Sequence, residues 1–321
     1  MISSRTGSIL LFALLAIGAA TPAVRTIKIN STLYARMSDI AARSQMALVG
    51  KNGRLELTGS KNKAVFTVNS REFYFNGVRI LAGYAVRNQS GSSYISHLDW
   101  QKSLQPLLDP IGSTPRRKIL TITLDAGHGG NDQGTSGRST VEKKLTLRLA
   151  RRVGEILGSC GYRIRYSRTT DKYVSLGDRA LAHRKSGSDL FVSIHFNSSP
   201  ATSVSGIESF ALTPVGMQSS NGGDVVKSAS SGNATDADNL LLAYNIQRAL
   251  LNRTKAVDRG VKRARFAVLR DITTPGVLVE LGFLSNRAEE RRIMSADYFE
   301  KLARGIADGV IAYHRSIWRR P

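Results

Sequence analysis

Four residues could carry chemistry together: His128, Glu142, His195 and Glu280. His128 stands in the stretch Leu120 to Gly130, LTITLDAGHGG, where an apolar run delivers an imidazole into a glycine-rich turn. His195 closes a second apolar run, Asp189 to Phe196 (DLFVSIHF), and Glu280 interrupts a third, Val277 to Leu281 (VLVEL). Polar groups in otherwise apolar strands are expensive to bury unless they bind something or one another. Glu142 opens the helical stretch after the turn and has two readings. It is either the last member of an S-x-x-E capping box begun by Ser139, or a carboxylate within reach of His128.

Two histidines and a carboxylate are a ligand set for a catalytic zinc, which keeps its fourth position for water. The ligands would be His128, Glu142 and His195. Zinc lowers the pKa of that water to about 7 and polarises a carbonyl oxygen, while Glu280 would take the proton and pass it to a leaving nitrogen. No HExxH segment is present, which excludes the helix-borne zinc peptidase site. Asn197 is a candidate for hydrogen bonding a substrate, with a strand-end turn residue as its alternative. Arg270 is a candidate for meeting a peptide carboxylate, with a place on the cationic surface as its alternative.

The elements that must position these groups alternate between strand and helix from Ile119 onward. Helical spacing of Leu145, Leu149, Val153, Ile156 and Leu157 follows the first strand. Arg163 to Ser167, a helix over Leu176 to Lys185, the strand ending in His195, a strand Ile207 to Leu212, a helix Leu240 to Arg253, Val277 to Leu281 and a helix Tyr298 to His314 complete the series. This order predicts an α/β fold, a mainly parallel sheet with helices on both faces, whose strand ends gather the four groups on one rim. The serine-, glycine- and asparagine-rich stretch Val215 to Asn239 reads as a mobile loop at the rim of the cleft. His183 and His314 read as solvent-facing, and Cys160 as a small buried residue.

Residues 24–110 read as a small, strand-rich α+β domain, with hairpin turns at Asn52-Gly53 and Asn76-Gly77 and a helix over Met37 to Met46. Pro110 to Pro115 and the following Arg116-Arg117-Lys118 mark a connector, residues 111–118, before a catalytic domain at 119–321. Residues 1–23 carry a basic residue, the apolar run Ile9 to Ile17 and small residues after it, a secretory signal pattern that predicts export to a periplasm or cell wall. With 46 Lys and Arg against 24 Asp and Glu, the net charge is +22. Outside the cytoplasm such an excess points to anionic envelope polymers, and no aromatic-interleaved basic motif supports a nucleic-acid partner. The expectation is a monomer without stable membrane insertion after processing. A single cysteine excludes an internal disulfide framework.

The segments DAGHGGNDQG (Asp125 to Gly134), Glu142-Lys143, SRTTD (Ser167 to Asp171), LGDRALAH (Leu176 to His183), FVSIHFNS (Phe191 to Ser198), SGIESFAL (Ser205 to Leu212), DRGVKRARFAVLR (Asp258 to Arg270) and PGVLVELGFLSN (Pro275 to Asn286) together resemble the zinc-dependent N-acetylmuramoyl-L-alanine amidases (type 3) of the bacterial cell wall. The resemblance runs in unbroken order from Ile119 to His314. It implies hydrolysis of the amide between N-acetylmuramic acid and L-alanine in peptidoglycan, with zinc on His128, Glu142 and His195 and a catalytic Glu280. Ala126 stands where the family commonly has proline, and Phe196 where it commonly has a small residue. The N-terminal region, through Gly83-Tyr84 and Tyr94-Ile95-Ser96, resembles the small N-terminal domain of copper amine oxidases. Another zinc peptidase or amidohydrolase of the wall and a non-catalytic wall-binding protein are the rival readings, and the intact set of four residues argues against the second.

Overall fold

The computed structural model describes residues 23–113 and 118–318. The expected signal segment lies, apart from Ala23, outside the described residues, as does half of the connector, residues 114–117. The strands are β1 (Thr26–Ile29), β2 (Thr32–Arg36), β3 (Ala47–Lys51), β4 (Arg54–Thr58), β5 (Lys63–Thr67), β6 (Glu72–Phe75), β7 (Val78–Leu81), β8 (Arg87–Gln89), β9 (Ser92–Ser96), β10 (Thr121–Ala126), β11 (Arg163–Tyr166), β12 (Leu190–Asn197), β13 (Ile207–Leu212), β14 (Asp258–Ala264) and β15 (Gly276–Phe283). The helices are α1 (Met37–Arg43), the short turns α2 (His97–Asp99), α3 (Gln105–Leu108) and α4 (Pro110–Ser113), then α5 (Glu142–Ser159), α6 (Leu176–Lys185), α7 (Asp236–Thr254), α8 (Ala267–Arg270), α9 (Arg287–Met294) and α10 (Ala296–Ile317).

The fold is α/β with helices on both faces, as the alternation predicts, but its main sheet is mixed rather than mainly parallel. Eleven strands run in the order β11-β10-β12-β15-β13-β14-β7-β6-β5-β4-β3. The first four are parallel neighbours. β13 then lies antiparallel to β15, pairing Glu208 with Glu280 and Phe210 with Leu278, and takes β14 parallel to itself. The free edge of β14 meets β7 at Val261 and Ile80, so the antiparallel meander β7 to β3 continues the same sheet. An unpaired edge on β14 would expose a row of backbone groups, and the meander covers it. β1, β2, β9 and β8 form a separate four-stranded sheet.

Side chains alternate across the strands with period two. Ile122, Leu124, Val192, Ile194, Val277 and Val279 enter the large core under α5, α7 and α10. Phe191, Phe210, Leu212 and Leu278 point to the other face and pack with Val268 and Leu269 of α8 and Ala180 of α6. His195, Glu208 and Glu280 share the parity of this second face.

The direction of β13 also corrects the expectation for Val215 to Asn239. Glu208, at the start of β13, faces Glu280, so the strand carries the chain away from the histidines. The segment then packs on the N-terminal region: Met217 is fully buried against Gly83, the Tyr84 hydroxyl donates to the Gly216 carbonyl, and Arg71 donates to Gln218. It does not border the cleft. Cys160, expected to be buried, is exposed just past the end of α5, because the apolar stripe of that helix closes at Leu157.

Candidate metal centre

The His128 turn is held from beneath. Gly127 donates its amide to the Ile194 carbonyl, and His128 itself takes φ +59°, followed by Gly129 at +131° and Gly130 at +60°. Few side chains tolerate such a run, so it needs external support. Two buried arginines supply it. Arg179 donates to the carbonyls of Ala126 at 2.7 Å and His128 at 2.8 Å and pairs with buried Asp125 at 2.6 Å. Arg168 donates to the carbonyls of Ala126 at 2.9 Å and Gly127 at 2.8 Å. Ser193 completes the site by donating to Asp125.

Glu142 is the first residue of α5, after Val141 at the N-cap, and no side chain caps the helix. The capping-box reading therefore fails. Its carboxylate, 4% exposed, lies between the two imidazoles: Oε2 is 3.1 Å from His128 Nε2 and Oε1 is 2.9 Å from His195 Nδ1. The Thr135 amide donates to Oε2 and the Phe196 amide to Oε1. The helix N-terminus adds a favourable dipole. Burial alone would raise the Glu142 pKa, but the two imidazoles outweigh it and hold the group at about 2. For His128, burial acts to lower the pKa, and Glu142 with Asp132 overcome it and raise it.

The three groups offer ligand atoms that all lie within 4.8 Å of one another. His128 Nδ1 is 2.9 Å from Asp132 Oδ2, which fixes the ring and leaves Nε2 to face Glu142. A carboxylate partner on the far nitrogen is the usual support of a metal-binding imidazole. An ionised carboxylate and two orientable imidazoles fit a divalent cation such as zinc. Gly127 makes the approach possible, because a Cβ there would lie 2.3 Å from His195 Cε1.

Glu280 is the cross-strand partner of His195 on one side and of Glu208 on the other. Burial, with Glu142 and Glu208 adding repulsion against the pull of Lys262, raises its pKa well above the carboxylate range. Its Oε2 is buried with no hydrogen-bond partner. Such an orphan acceptor beside a ligand cluster is a mark of a working group. Glu208 is saturated by contrast: it accepts from Asn197 Nδ2 at 2.9 Å, from Arg259 Nε at 3.0 Å and from Lys262.

The residues singled out in the sequence separate here. His128, Glu142 and His195 converge, with Glu280 alongside, while Asn197 is tied to Glu208 two residues beyond His195. Arg270 ends α8 and is exposed, two residues past Val268, which lines the histidine cleft. That cleft, ≈ 250 Å³, is bounded by His128, His195, Asp132, Tyr173, Leu176 and Val268.

His183 departs from the solvent-facing expectation. It is 1% exposed, bonded to Thr123 and Thr274, with its pKa pushed down to about 4 by burial. His314 departs too, being partly buried between the Ile119 amide and Tyr162. Asp125, Asp132, Arg168, Arg179 and Glu208 are structural members of the site that sequence reasoning left without roles. Their signal was present, because all five stand inside the quoted motifs.

A family model described as N-acetylmuramoyl-L-alanine amidase matches residues 122–312. The chain is 29% identical to the N-acetylmuramoyl-L-alanine amidase LytC of Bacillus subtilis over 276 residues, covering 86% of this chain and 47% of that one, so it spans about half the length of that relative. It is 34% identical to the amidase AmiA of Escherichia coli over 220 residues, with 60% and 75% of the two chains covered. Among solved structures, an N-acetylmuramoyl-L-alanine amidase from Clostridium difficile 630 superposes with a TM-score of 0.52 at 33% identity, over 61% of this chain and 97% of that one. The family match, covering more than half of the sequence and containing all four converging residues, shows that this chain belongs to the N-acetylmuramoyl-L-alanine amidases.

Proposed function

We propose that this protein is an exported, monomeric, zinc-dependent enzyme that cuts the amide between the lactyl group of N-acetylmuramic acid and the L-alanine of the stem peptide. The observation that carries the reading is the carboxylate of Glu142 set between two imidazoles, with the unpartnered Glu280 beside them. His128, Glu142 and His195 would hold the zinc. When bound, the ion supplies Lewis acidity for a carbonyl oxygen and acidity for a water.

The remaining work belongs to the chain. Glu280 accepts the proton of the attacking water and returns it to the departing alanine nitrogen. Its raised pKa suits the second transfer, and a neighbouring dication favours the ionised form that the first requires. Glu208 cannot replace it, since three donors occupy its oxygens. Asn197 presents its amide beside this pair, and Arg270 stands near enough to the cleft to meet a stem-peptide carboxylate. Residues 24–110 serve as an accessory domain to the catalytic region at 119–321.

The test is metal removal with purified peptidoglycan as substrate. Dialysis against a chelator should abolish turnover, and one equivalent of zinc should restore it to the wild type but not to His195→Ala. Turnover that persists without metal would overturn the reading.

A further inference from the structure

At the pole of the sheet opposite the His128 turn, where β10 and β11 begin, the end of α10 leaves a second cleft. It measures ≈ 720 Å³ and is lined by Lys118, Cys160, Tyr162, Ile311, Arg315 and Trp318, with His314 at its base. Two bonds of His314 decide what this cleft presents. The Ile119 amide donates to Nε2 at 3.2 Å, so in the neutral ring the proton sits on Nδ1. Nδ1 in turn lies 2.8 Å from the Tyr162 hydroxyl and donates to it. The phenol already accepts at its oxygen, and its own hydrogen remains to be donated elsewhere. Burial lowers the His314 pKa, Asp189 opposes and Lys118 assists, in keeping with a neutral ring.

Among the described residues, the lining thus offers an ammonium, a guanidinium and a phenolic O–H, and no carboxylate. Asp189, the neighbouring acid, spends Oδ2 on the amides of Leu120 at 2.8 Å and Thr121 at 2.9 Å. Ile311 and Trp318 add an apolar and aromatic wall. Donors and cations around such a wall match an anion carried on short carbon units. Insertion into a bilayer needs a broader apolar face than Ile311 and Trp318 supply.

We propose that this cleft binds a phosphodiester of an anionic wall polymer of the poly(glycerol phosphate) kind. One phosphate lies between Lys118 and Arg315 and accepts the Tyr162 hydroxyl, while the polyol carbons lie on Trp318 and Ile311. Because the cleft is at the far end of β10 from His128, the polymer holds the enzyme on the wall and leaves the amide-cutting face free.

Cys160 makes the test direct, since the chain's single cysteine lines the cleft and is exposed. The rate of its alkylation by N-ethylmaleimide is measured on the full chain with purified poly(glycerol phosphate), with inorganic phosphate at equal phosphorus, and with phosphatidylglycerol vesicles. Polymer at about ten times its Kd should slow labelling about tenfold, the free fraction set by mass action. The double variant Lys118→Gln with Arg315→Gln should weaken polymer binding by roughly tenfold or more. Lys51→Gln with Lys61→Gln, an equal loss of charge elsewhere, should change it less than about twofold. Turnover of a soluble muropeptide should be unchanged in both, which reports an intact fold. No protection by polymer, equal protection by inorganic phosphate, protection by vesicles alone, or equal losses in the two double variants would each overturn the proposal.

Discussion

Gly127→Ala is a one-carbon change whose effect follows from distances. The added Cβ would lie 2.3 Å from Cε1, 2.6 Å from Nε2 and 2.7 Å from Nδ1 of His195. Carbon contacts settle near 3.5–4.0 Å, so the ring must retreat by ~1 Å or more. The Gly127 backbone cannot give instead, because its amide is bonded to Ile194 and its carbonyl to Arg168 and Thr146. A retreat of that size breaks the 2.9 Å contact between His195 Nδ1 and Glu142. Overpacking costs ~1–3 kcal/mol, which for a domain of this size lowers Tm by about 2–12 °C. The metal site suffers more. Disturbing even the outer partners of a ligand costs ~10–100-fold in affinity, and here a ligand itself is displaced, so zinc binding should weaken by at least about 100-fold. Thermal melts and competition with a chromophoric chelator read the two effects separately. Gly158→Ala, where a Cβ meets nothing within 4 Å, is the control and should leave both values near wild type. Normal zinc affinity in Gly127→Ala would refute the assignment of His195 as a ligand held against the turn.

Glu280→Gln should keep the fold and the metal and lose ~10²-fold or more in turnover, measured on purified peptidoglycan, because the amide cannot accept a proton. Arg179→Met should destabilise by ~3–5 kcal/mol in urea denaturation, since it strands the buried Asp125 carboxylate. Stability should also fall on acidification through His183. Its folded pKa of about 4 lies below the ordinary 6.5, so the unfolded chain binds the proton first and stability drops as pH falls from 6.5 to about 4. In His183→Gln that contribution to the slope should vanish between these pH values in buffered melts.

The catalytic elements were legible because their signals are local. The helix over Leu176 to Lys185 and the strand Ile207 to Leu212 fall where spacing predicts them. The convergence of His128, Glu142 and His195 was legible as well, since strand ends and a helix start must share one rim. What escaped depends on distant partners. No local pattern states that β13 reverses against β15, and that reversal both mixes the sheet and carries Val215 to Asn239 away from the cleft. The junction of β14 with β7 joins residues 181 positions apart in the chain, Ile80 and Val261. His183 looked solvated because Arg179, Arg184 and Lys185 surround it in sequence. In space Arg179, Ala180 and His183 form the buried side of α6, and the guanidinium is consumed by Asp125 and the turn carbonyls. Buried charge of this kind reads as surface until its partner is known.

The central claim is that His128, Glu142, His195 and Glu280 cut one particular amide of peptidoglycan. Mass spectrometry of the fragments released from purified peptidoglycan by the zinc-loaded protein tests it most directly. The account predicts free stem peptides with an N-terminal L-alanine and glycan strands bearing unsubstituted lactyl carboxylates, with neither product formed by Glu280→Gln. Fragments that keep L-alanine joined to the muramic acid, with cleavage at another bond, would contradict it.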